Sequence, residues 1–95
     1  MAQKVVWASR ATDDLYAIYE SLSVFSDTRA ETATEEIINQ FFLLEQFPRI
    51  GRVVPELNLE TIRELIVHQY RVVYSITVQE QIEVLTVRHS SRPLT

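Results

Sequence analysis

The stretch that decides the fold is residues 62–92, IRELIVHQYRVVYSITVQEQIEVLTVRHSSR. Its apolar and β-branched residues follow the pattern of three consecutive strands, at about 62–67, 70–78 and 81–88. The segments between these strands are so short that neighbouring strands must form antiparallel hairpins. Two-residue turns at 68–69 and 79–80 would fix the register of both hairpins.

In that register the two faces of the sheet differ in character. The face that must cover the rest of the core is almost wholly apolar and holds Leu65, Val67, Val72, Tyr74, Leu85 and Val87, with Arg63, Tyr70 and His89 at its rim. The opposite face holds Ile62, Glu64, Ile66, Arg71, Val73, Ser75, Val84, Thr86 and Arg88. Arg71 and Arg88 become direct cross-strand neighbours, and Glu64 lies diagonal to Arg71.

The residues before this sheet predict a strand and two helices. The run at 4–8 fits a short strand, and apolar residues at helical spacing predict helices from about Thr12 to Phe25 and from about Thr28 to Gln46. Pro48 ends the second helix. The predicted fold class is α+β: an N-terminal strand and an antiparallel helical hairpin packed on a small antiparallel β-sheet, with residues 1–95 forming a single domain.

The helices also carry expected caps and an unusually wide apolar surface. Ser9 or Thr12 is placed to cap the first helix, with Asp13 and Asp14 in its first turn. The second helix has an apolar stripe of Ala30, Ala33, Ile37, Phe41 and Leu44. Ile38 and Phe42 widen that stripe, and Tyr16 and Tyr19 sit beside the stripe of the first helix. These residues either pack in the core or receive a segment of a partner.

Composition narrows the classes of protein that the chain can belong to. The 95 residues include no cysteine, which excludes disulfides and thiolate metal sites. No apolar run approaches the roughly 20 residues that span a bilayer, and the N-terminal segment lacks the apolar core of a signal peptide. We expect no membrane association and a cytoplasmic location. Residues 1–48 carry a net charge of −5 and residues 49–95 a net charge of +1, so strong direct binding to nucleic acid is not expected.

No standard catalytic motif is present. There is no glycine-rich phosphate loop or nucleophile elbow, and the two histidines lack metal-ligand spacing, so the sequence predicts neither a metal nor a cofactor. The constellation that could carry chemistry is Arg71, Arg88, His89 and Arg92. It fits a phosphate or carboxylate site with His89 as general acid or base. Alternatively, Glu64 pairs with Arg71 and the others are solvated charges at strand ends.

Several segments together resemble the RelE/ParE superfamily of toxins from bacterial type II toxin–antitoxin modules. They are Trp7-x4-Thr12-x-Asp14-Leu15-x2-Ile18, Pro48-x2-Gly51-Arg52-x2-Pro55-Glu56, Ile62-Arg63-Glu64-Leu65, Tyr70-Arg71-Val72-Val73-Tyr74 and Val87-x-His89-x2-Arg92. The resemblance implies a helical hairpin on a small antiparallel sheet. It also implies a hetero-oligomer with a cognate antitoxin, whose C-terminal segment wraps the toxin and blocks it.

For that antitoxin, the expected docking area is the apolar surface of residues 37–47 together with the first helix. The antitoxin-binding candidates on it are Tyr16, Tyr19, Ile38 and Phe42. An antitoxin arm of this kind is disordered until it binds, so it loses conformational entropy as it folds onto the toxin.

The superfamily divides by activity. Its RelE-like branch cleaves mRNA on the ribosome by aiding attack of a 2′-hydroxyl on the adjacent phosphate, which requires several cations on one sheet face. In this chain the matching positions on the strand before the Tyr-Arg pair are Ile62 and Glu64, neither of which is basic. The branch's later basic position falls near Ser90, and no tyrosine follows in the C-terminal tail. In a nuclease Arg71 would act with Arg63 or His89.

The ParE-like branch, associated with plasmid stabilisation, inhibits DNA gyrase and has no enzymatic activity of its own. The Gly-Arg-x-x-Pro-Glu loop, the Ile-Arg-Glu-Leu strand and the His-x-x-Arg ending resemble this branch, so we favour gyrase inhibition over the endoribonuclease alternative. The candidates for contact with the target are Arg52, Arg71, Arg88, His89 and Arg92. For Gly51-Arg52 a tight turn explains the glycine equally well. Pairing of Glu64 with Arg71 would remove the cationic site that a nuclease needs.

Overall fold

The computed structural model describes residues 4–92 and contains two helices and five strands. In chain order they are β1 (Val5–Trp7), α1 (Ser9–Ser23), α2 (Asp27–Gln46), β2 (Arg52–Val53), β3 (Ile62–Val67), β4 (Tyr70–Ile76) and β5 (Ile82–His89). The predicted irregular tail after His89 includes residues 93–95, which lie outside the described residues. Within residues 4–92, neither helix has the length and apolar character needed to cross a membrane.

All five strands form one mixed sheet in the order β1-β5-β4-β3-β2. The pairs from β2 to β5 are antiparallel, whereas β1 runs parallel to β5, with Val5 opposite Ile82 and Trp7 opposite Val84. The two helices pack against each other, and α1 also packs along β5. The predicted α+β class is confirmed, and the first strand joins the last one at the edge of the sheet.

The residues at the helix termini and the spacing of the apolar residues explain where each helix begins and which side of it is buried. Ser26 caps α2, since its hydroxyl accepts a hydrogen bond from the Arg29 backbone N–H at 3.2 Å. The buried residues of α2 recur every three or four positions, at Ala30, Thr34, Ile37, Phe41 and Leu44. Helix α1 begins at Ser9, earlier than predicted, because β1 leads directly into it through Ala8 without a side-chain cap. Asp13 and Asp14 therefore lie beyond its first turn, and the predicted capping arrangement is wrong.

An apolar core fills the space between the helices and the sheet. Trp7 of β1 and Phe41 of α2 meet edge to face with ring centroids 4.3 Å apart. Tyr74, Ile82 and Val84 are fully buried in the same cluster. The core therefore joins the two chain-terminal strands to both helices.

The turn between β4 and β5 differs from the prediction. Thr77 and Gln81 close it, with the Thr77 backbone N–H donating to the Gln81 carbonyl at 2.8 Å, and Glu80 takes a left-handed φ of 63°. The loop thus has one residue more than predicted. It shifts the adjacent register so that Tyr74 lies opposite Val84, whereas a two-residue turn would place Leu85 there.

A β-bulge restores the predicted register further along. The shift falls between Val73 and Tyr74, and beyond it Arg71 lies opposite Arg88 as predicted. The predicted faces of two residues were therefore wrong. Val84, expected on the outer face, is fully buried in the core cluster, whereas Leu85, expected on the core face, is half-buried outside that cluster.

Candidate functional site

The loop that follows α2 is fastened to the sheet at Gly51. The Gly51 backbone N–H donates to the Tyr74 hydroxyl oxygen at 3.0 Å, and that hydroxyl donates to the Pro48 carbonyl at 2.8 Å. A Cβ on residue 51 would lie 2.6 Å from the Glu64 carbonyl oxygen and 2.7 Å from the Tyr74 hydroxyl oxygen, so a side chain does not fit. Burial raises the pKa of the Tyr74 hydroxyl. The glycine thus serves close packing of loop on strand.

Arg63 is a second attachment of this loop. Its Nη1 donates to the Gly51 carbonyl at 2.8 Å, and its Nη2 donates to Glu60 Oε1 at 2.8 Å. The Nε also donates to the Glu60 carbonyl at 3.1 Å. The guanidinium of Arg63 is therefore occupied by the loop on both sides.

On the charged face of the sheet, four side chains form one cluster, the acid–arginine network of Arg52, Glu56, Glu64 and Arg71. Arg71 donates from Nε to Glu64 Oε1 at 2.6 Å, and from Nη1 and Nη2 to the two oxygens of Glu56 at 2.7 and 2.9 Å. The other oxygen of Glu64 accepts from Arg52 Nε at 2.6 Å. The network holds Glu56, a loop residue, against strands β3 and β4.

This network is electrically balanced, and its two central residues are shielded from water. Glu64 is 1% exposed and Arg71 is 5% exposed. Hydrogen bonding to Glu56, and then to Glu64, raises the pKa of Arg71 in spite of the opposing effect of burial, so Arg71 remains a cation. Two carboxylates match two guanidinium groups. The pairing of Glu64 with Arg71, one of the two interpretations of the sequence, is present, and Arg71 offers no uncompensated charge.

The residues proposed for a nuclease site have separate surroundings. Arg71 belongs to the acid–arginine network, whereas Arg63, the next residue to Glu64 on β3 and so on the other face, binds the loop. His89 lies at the end of β5, where Nδ1 is 2.8 Å from Ser91 Oγ and Nε2 is 3.3 Å from Gln69 Oε1. The structure therefore does not gather these three residues around one reacting group.

An apolar depression of about 650 Å³ lies between the two helices, and we call it the helix groove. Its lining residues are Trp7, Thr12, Leu15, Tyr16, Tyr19, Thr34 and Ile38. Three of the four predicted antitoxin-binding residues thus share one surface. Phe42, the fourth, lies one helical turn beyond Ile38 on α2, and 65% of it is exposed.

The predicted docking area of residues 37–47 divides into core and surface. Ile37, Phe41 and Leu44 are buried in the core, so they are not available to a partner. Phe42 and Phe47 are exposed. The exposed part of α2 is therefore a narrower strip than the sequence suggested.

A second depression, of about 550 Å³, lies between α1 and the end of β5, and we call it the cationic cleft. The residues that give it its charge and its walls include Arg10, Ile18, Tyr70, Arg88, His89 and Arg92. It unites three of the predicted target-contact residues, whereas Arg52 and Arg71 belong to the acid–arginine network. Arg10 had no signal in the sequence, because only the packing of α1 on β5 brings it here.

Asp14 joins α1 to β5 at the wall of this cleft. Its Oδ2 accepts hydrogen bonds from the Thr86 hydroxyl at 2.5 Å and from the Val87 backbone N–H at 3.1 Å. Pairing with β1 ends where Trp7 faces Val84, so Asp14 provides the acceptor that the edge of β5 would otherwise lack. The carboxylate is thus engaged in holding the helix against the strand.

Three of the segments quoted from the sequence meet in one place. Arg52 and Glu56 come from the Gly-Arg-x-x-Pro-Glu loop, Glu64 from Ile-Arg-Glu-Leu, and Arg71 from the Tyr-Arg pair. These segments bind one another in the acid–arginine network. Part of the sequence pattern that resembles the superfamily therefore consists of residues that hold the loop against the sheet.

Comparison with known proteins agrees with this architecture. The family model described as the ParE toxin of the type II toxin–antitoxin system parDE matches residues 5–94. A search of curated proteins returns no significant match.

Solved structures of toxin–antitoxin systems have a similar fold. A chromosomal ParDE system from P. aeruginosa is 22% identical, with 93% of this chain and 96% of that chain covered and a TM-score of 0.76. The RelBE2 toxin–antitoxin complex from Mycobacterium tuberculosis is 18% identical, with 94% and 99% covered and a TM-score of 0.67. A mutant of E. coli RelE in complex with an antitoxin RelBc peptide is 17% identical, with 97% and 87% covered and a TM-score of 0.65.

Because the family model spans nearly the whole chain, the protein belongs to the ParE family, the toxins of parDE type II toxin–antitoxin systems.

Proposed function

We propose that this ParE-family toxin inhibits DNA gyrase without enzymatic activity of its own and is neutralised by a cognate antitoxin. The observation that carries the proposal is the acid–arginine network, in which Arg71 donates to both Glu56 and Glu64. Resemblance to the ParE-like branch supplies the identity of the target. Fold alone does not determine activity within this superfamily. The choice between its branches therefore depends on whether the arginines of the sheet are paired with carboxylates.

A ribonuclease of the RelE-like kind would need cations that are available to a phosphate. Attack on a phosphate builds negative charge on its oxygens, and donors already aimed at that position stabilise it. The Arg71 guanidinium already donates to carboxylates from all three of its nitrogens, and Glu64 occupies the position of a cation on β3. A phosphate would have to displace two carboxylates from Arg71, which favours the non-enzymatic proposal.

The antitoxin is expected to dock on the apolar surface of the helices. Tyr16, Tyr19 and Ile38 line the helix groove, and Phe42 extends the same side of α2. An amphipathic segment could bury its apolar side chains there, and the resulting complex would be a hetero-oligomer. The solved ParDE, RelBE2 and RelE–RelBc structures support an antitoxin as the partner.

The endoribonuclease remains the alternative because RelE-type structures share the fold. The test of target is a supercoiling assay with purified DNA gyrase beside a cleavage assay with ribosomes programmed with mRNA. We expect inhibited supercoiling and intact mRNA, with activity of gyrase restored by added antitoxin. Cleaved mRNA with fully active gyrase would overturn the proposal.

Phe42→Glu tests the docking surface. The added charge on an exposed aromatic position should weaken antitoxin binding about tenfold or more without unfolding the protein. Phe25→Glu is the matched control, because Phe25 is 78% exposed and lies in the turn between α1 and α2. Isothermal titration with the antitoxin measures both variants. Equal affinities for Phe42→Glu and the wild type would place the antitoxin elsewhere.

A further inference from the structure

The cationic cleft has a local charge opposite to that of the whole protein. Arg10 and Arg92 contribute two positive charges to its walls, and Asp14 contributes one negative charge. The chain as a whole has a net charge of −4. Asp14 is also committed to Thr86 and Val87, and its contact with Arg10 is a long one of 4.0 Å at the surface. An excess of positive charge is therefore concentrated in one concave site.

The walls of the cationic cleft are mixed in character. Ile18 and the ring of Tyr70, both partly buried, provide apolar surface beside the arginines. Arginine fits carboxylates well, because its planar group can donate two parallel hydrogen bonds. A ligand with carboxylates and apolar side chains in alternation matches both parts of the lining.

A nucleic-acid strand fits the same site less well. Binding of a phosphate backbone normally uses a basic stripe along a face, and this protein is acidic overall. Three other arginines of the sheet, Arg52, Arg63 and Arg71, donate to carboxylates. The cationic cleft has a volume of about 550 Å³, a size suited to a few side chains.

The cationic cleft and the helix groove lie on opposite sides of α1. The residues of α1 that line the groove are Thr12, Leu15, Tyr16 and Tyr19. Those that line the cleft are Arg10, Asp14, Ala17, Ile18 and Ser21. At about 100° per residue the centres of these two sets point roughly half a turn apart. A segment bound in the groove would therefore leave the cleft accessible to a second ligand.

We propose that the cationic cleft binds an acidic peptide segment of the toxin's protein target, with carboxylates on Arg10 and Arg92 and an apolar side chain against Ile18 and Tyr70. The inference rests on the proposed function in one respect, namely that the target is a protein. It adds the chemistry by which that target is recognised.

The test measures binding of short fluorescent probes to the purified full-length protein. The first probe is a peptide that alternates Glu and Leu, the second replaces every Glu with Gln, and the third is a short single-stranded DNA. Arg10→Glu and Arg92→Glu reverse charges of the cleft. Arg29→Glu makes the same change of net charge on the exposed surface of α2 and is the matched control. Circular dichroism verifies that each variant is folded.

We expect the Glu–Leu peptide to bind and the Gln–Leu peptide to bind at least about tenfold more weakly. Arg10→Glu and Arg92→Glu should each weaken binding of the Glu–Leu peptide by about tenfold, and Arg29→Glu by less than about twofold. In nuclear magnetic resonance spectra of the wild type, the amides that shift should be those around the cleft. Phe42→Glu, in the region of the other site, should leave the affinity unchanged.

Three results would overturn the inference. Equal losses in Arg92→Glu and Arg29→Glu would show an effect of net charge alone, and equal binding of the Gln–Leu peptide would remove the role of the carboxylates. Tighter binding of the DNA would make the cleft a nucleic-acid site. Failure of this inference is distinct from failure of the proposed function, because the gyrase assay can succeed while the peptide does not bind, and the reverse.

Discussion

Two arginines that face each other across β4 and β5 have very different surroundings. Arg71 is buried and donates to two carboxylates, whereas Arg88, its cross-strand partner, is only partly buried and lines the cationic cleft. The loop after α2 brings Glu56 against Arg71 and covers it. A count of cations on a sheet face therefore does not measure the charge available to a ligand, because a carboxylate from a loop distant in sequence compensates the charge of Arg71.

Glu64→Ala is the change with the largest expected effect on this comparison. It leaves the buried Arg71 with one partner fewer and releases Arg52, so we expect the free energy of unfolding to fall by about 3–5 kcal/mol. Urea denaturation followed by circular dichroism measures the loss. Glu83→Ala, on the exposed side of β5, is the control and should cost less than about 0.5 kcal/mol.

A double replacement sharpens the same prediction. With Glu64→Met and Arg71→Met together, no buried charge remains at that pair, so stability should be closer to that of the wild type than in Glu64→Ala. If Glu64→Ala unfolds at the urea concentration of the wild type, the network is not holding Arg71.

Tyr74→Phe tests the other attachment of the loop and should have an intermediate effect. It removes the hydroxyl that donates to the Pro48 carbonyl and accepts from the Gly51 N–H, so we expect a loss of about 1–3 kcal/mol. Tyr16→Phe, at an exposed position, is the control. Thermal denaturation of both variants measures the difference, and equal melting temperatures would contradict the assigned role.

We also expect Tyr74→Phe to change the dependence of stability on alkaline pH. Burial raises the folded-state pKa of Tyr74 above its ordinary value of 10.0, so the folded protein holds this proton more tightly than the unfolded chain. The contribution to stability is complete below about pH 10 and is lost as pH rises through the folded-state pKa. Above pH 10 the wild type should therefore lose stability more steeply than Tyr74→Phe.

Arg10→Ala should have the smallest effect on stability. Its contact with Asp14 is 4.0 Å long and exposed, so the free energy of unfolding should change by less than about 0.5 kcal/mol. Binding of the Glu–Leu peptide should nevertheless fall. A large loss of stability would mean that Arg10 supports the fold, and the contrast between the buried network and the open cleft would disappear.

Features with local causes were predicted well from the sequence. The second helix was expected to begin at Thr28 and begins at Asp27, because the cap, the apolar stripe and Pro48 all lie within it or next to it. The pairing of Glu64 with Arg71 was one of the two interpretations of the charged residues, since a two-residue turn at 68–69 places them diagonally across β3 and β4. In each case the residues that decide the outcome are neighbours along the chain or across one hairpin.

Features set by distant parts of the chain were not predicted. Glu56, which pairs with Arg71, lies on a loop that is fastened to the sheet where Gly51 packs on Tyr74, a contact between residues far apart in sequence. No glycine in the sequence marks the left-handed conformation of Glu80 or the bulge beside Tyr74. The faces of Val84 and Leu85 were therefore predicted wrongly. The two irregularities offset each other, which is why Arg71 and Arg88 were still paired correctly.

The parallel pairing of β1 with β5 has a consequence for biosynthesis. β1 leaves the ribosome long before its partner β5, because Val5 pairs with Ile82 and Trp7 with Val84. Contacts this far apart in sequence form late, since a long stretch of chain must be ordered before they do. A ribosome that stops before residues 82–89 therefore releases a fragment in which β1 has no strand to pair with and the sheet is incomplete.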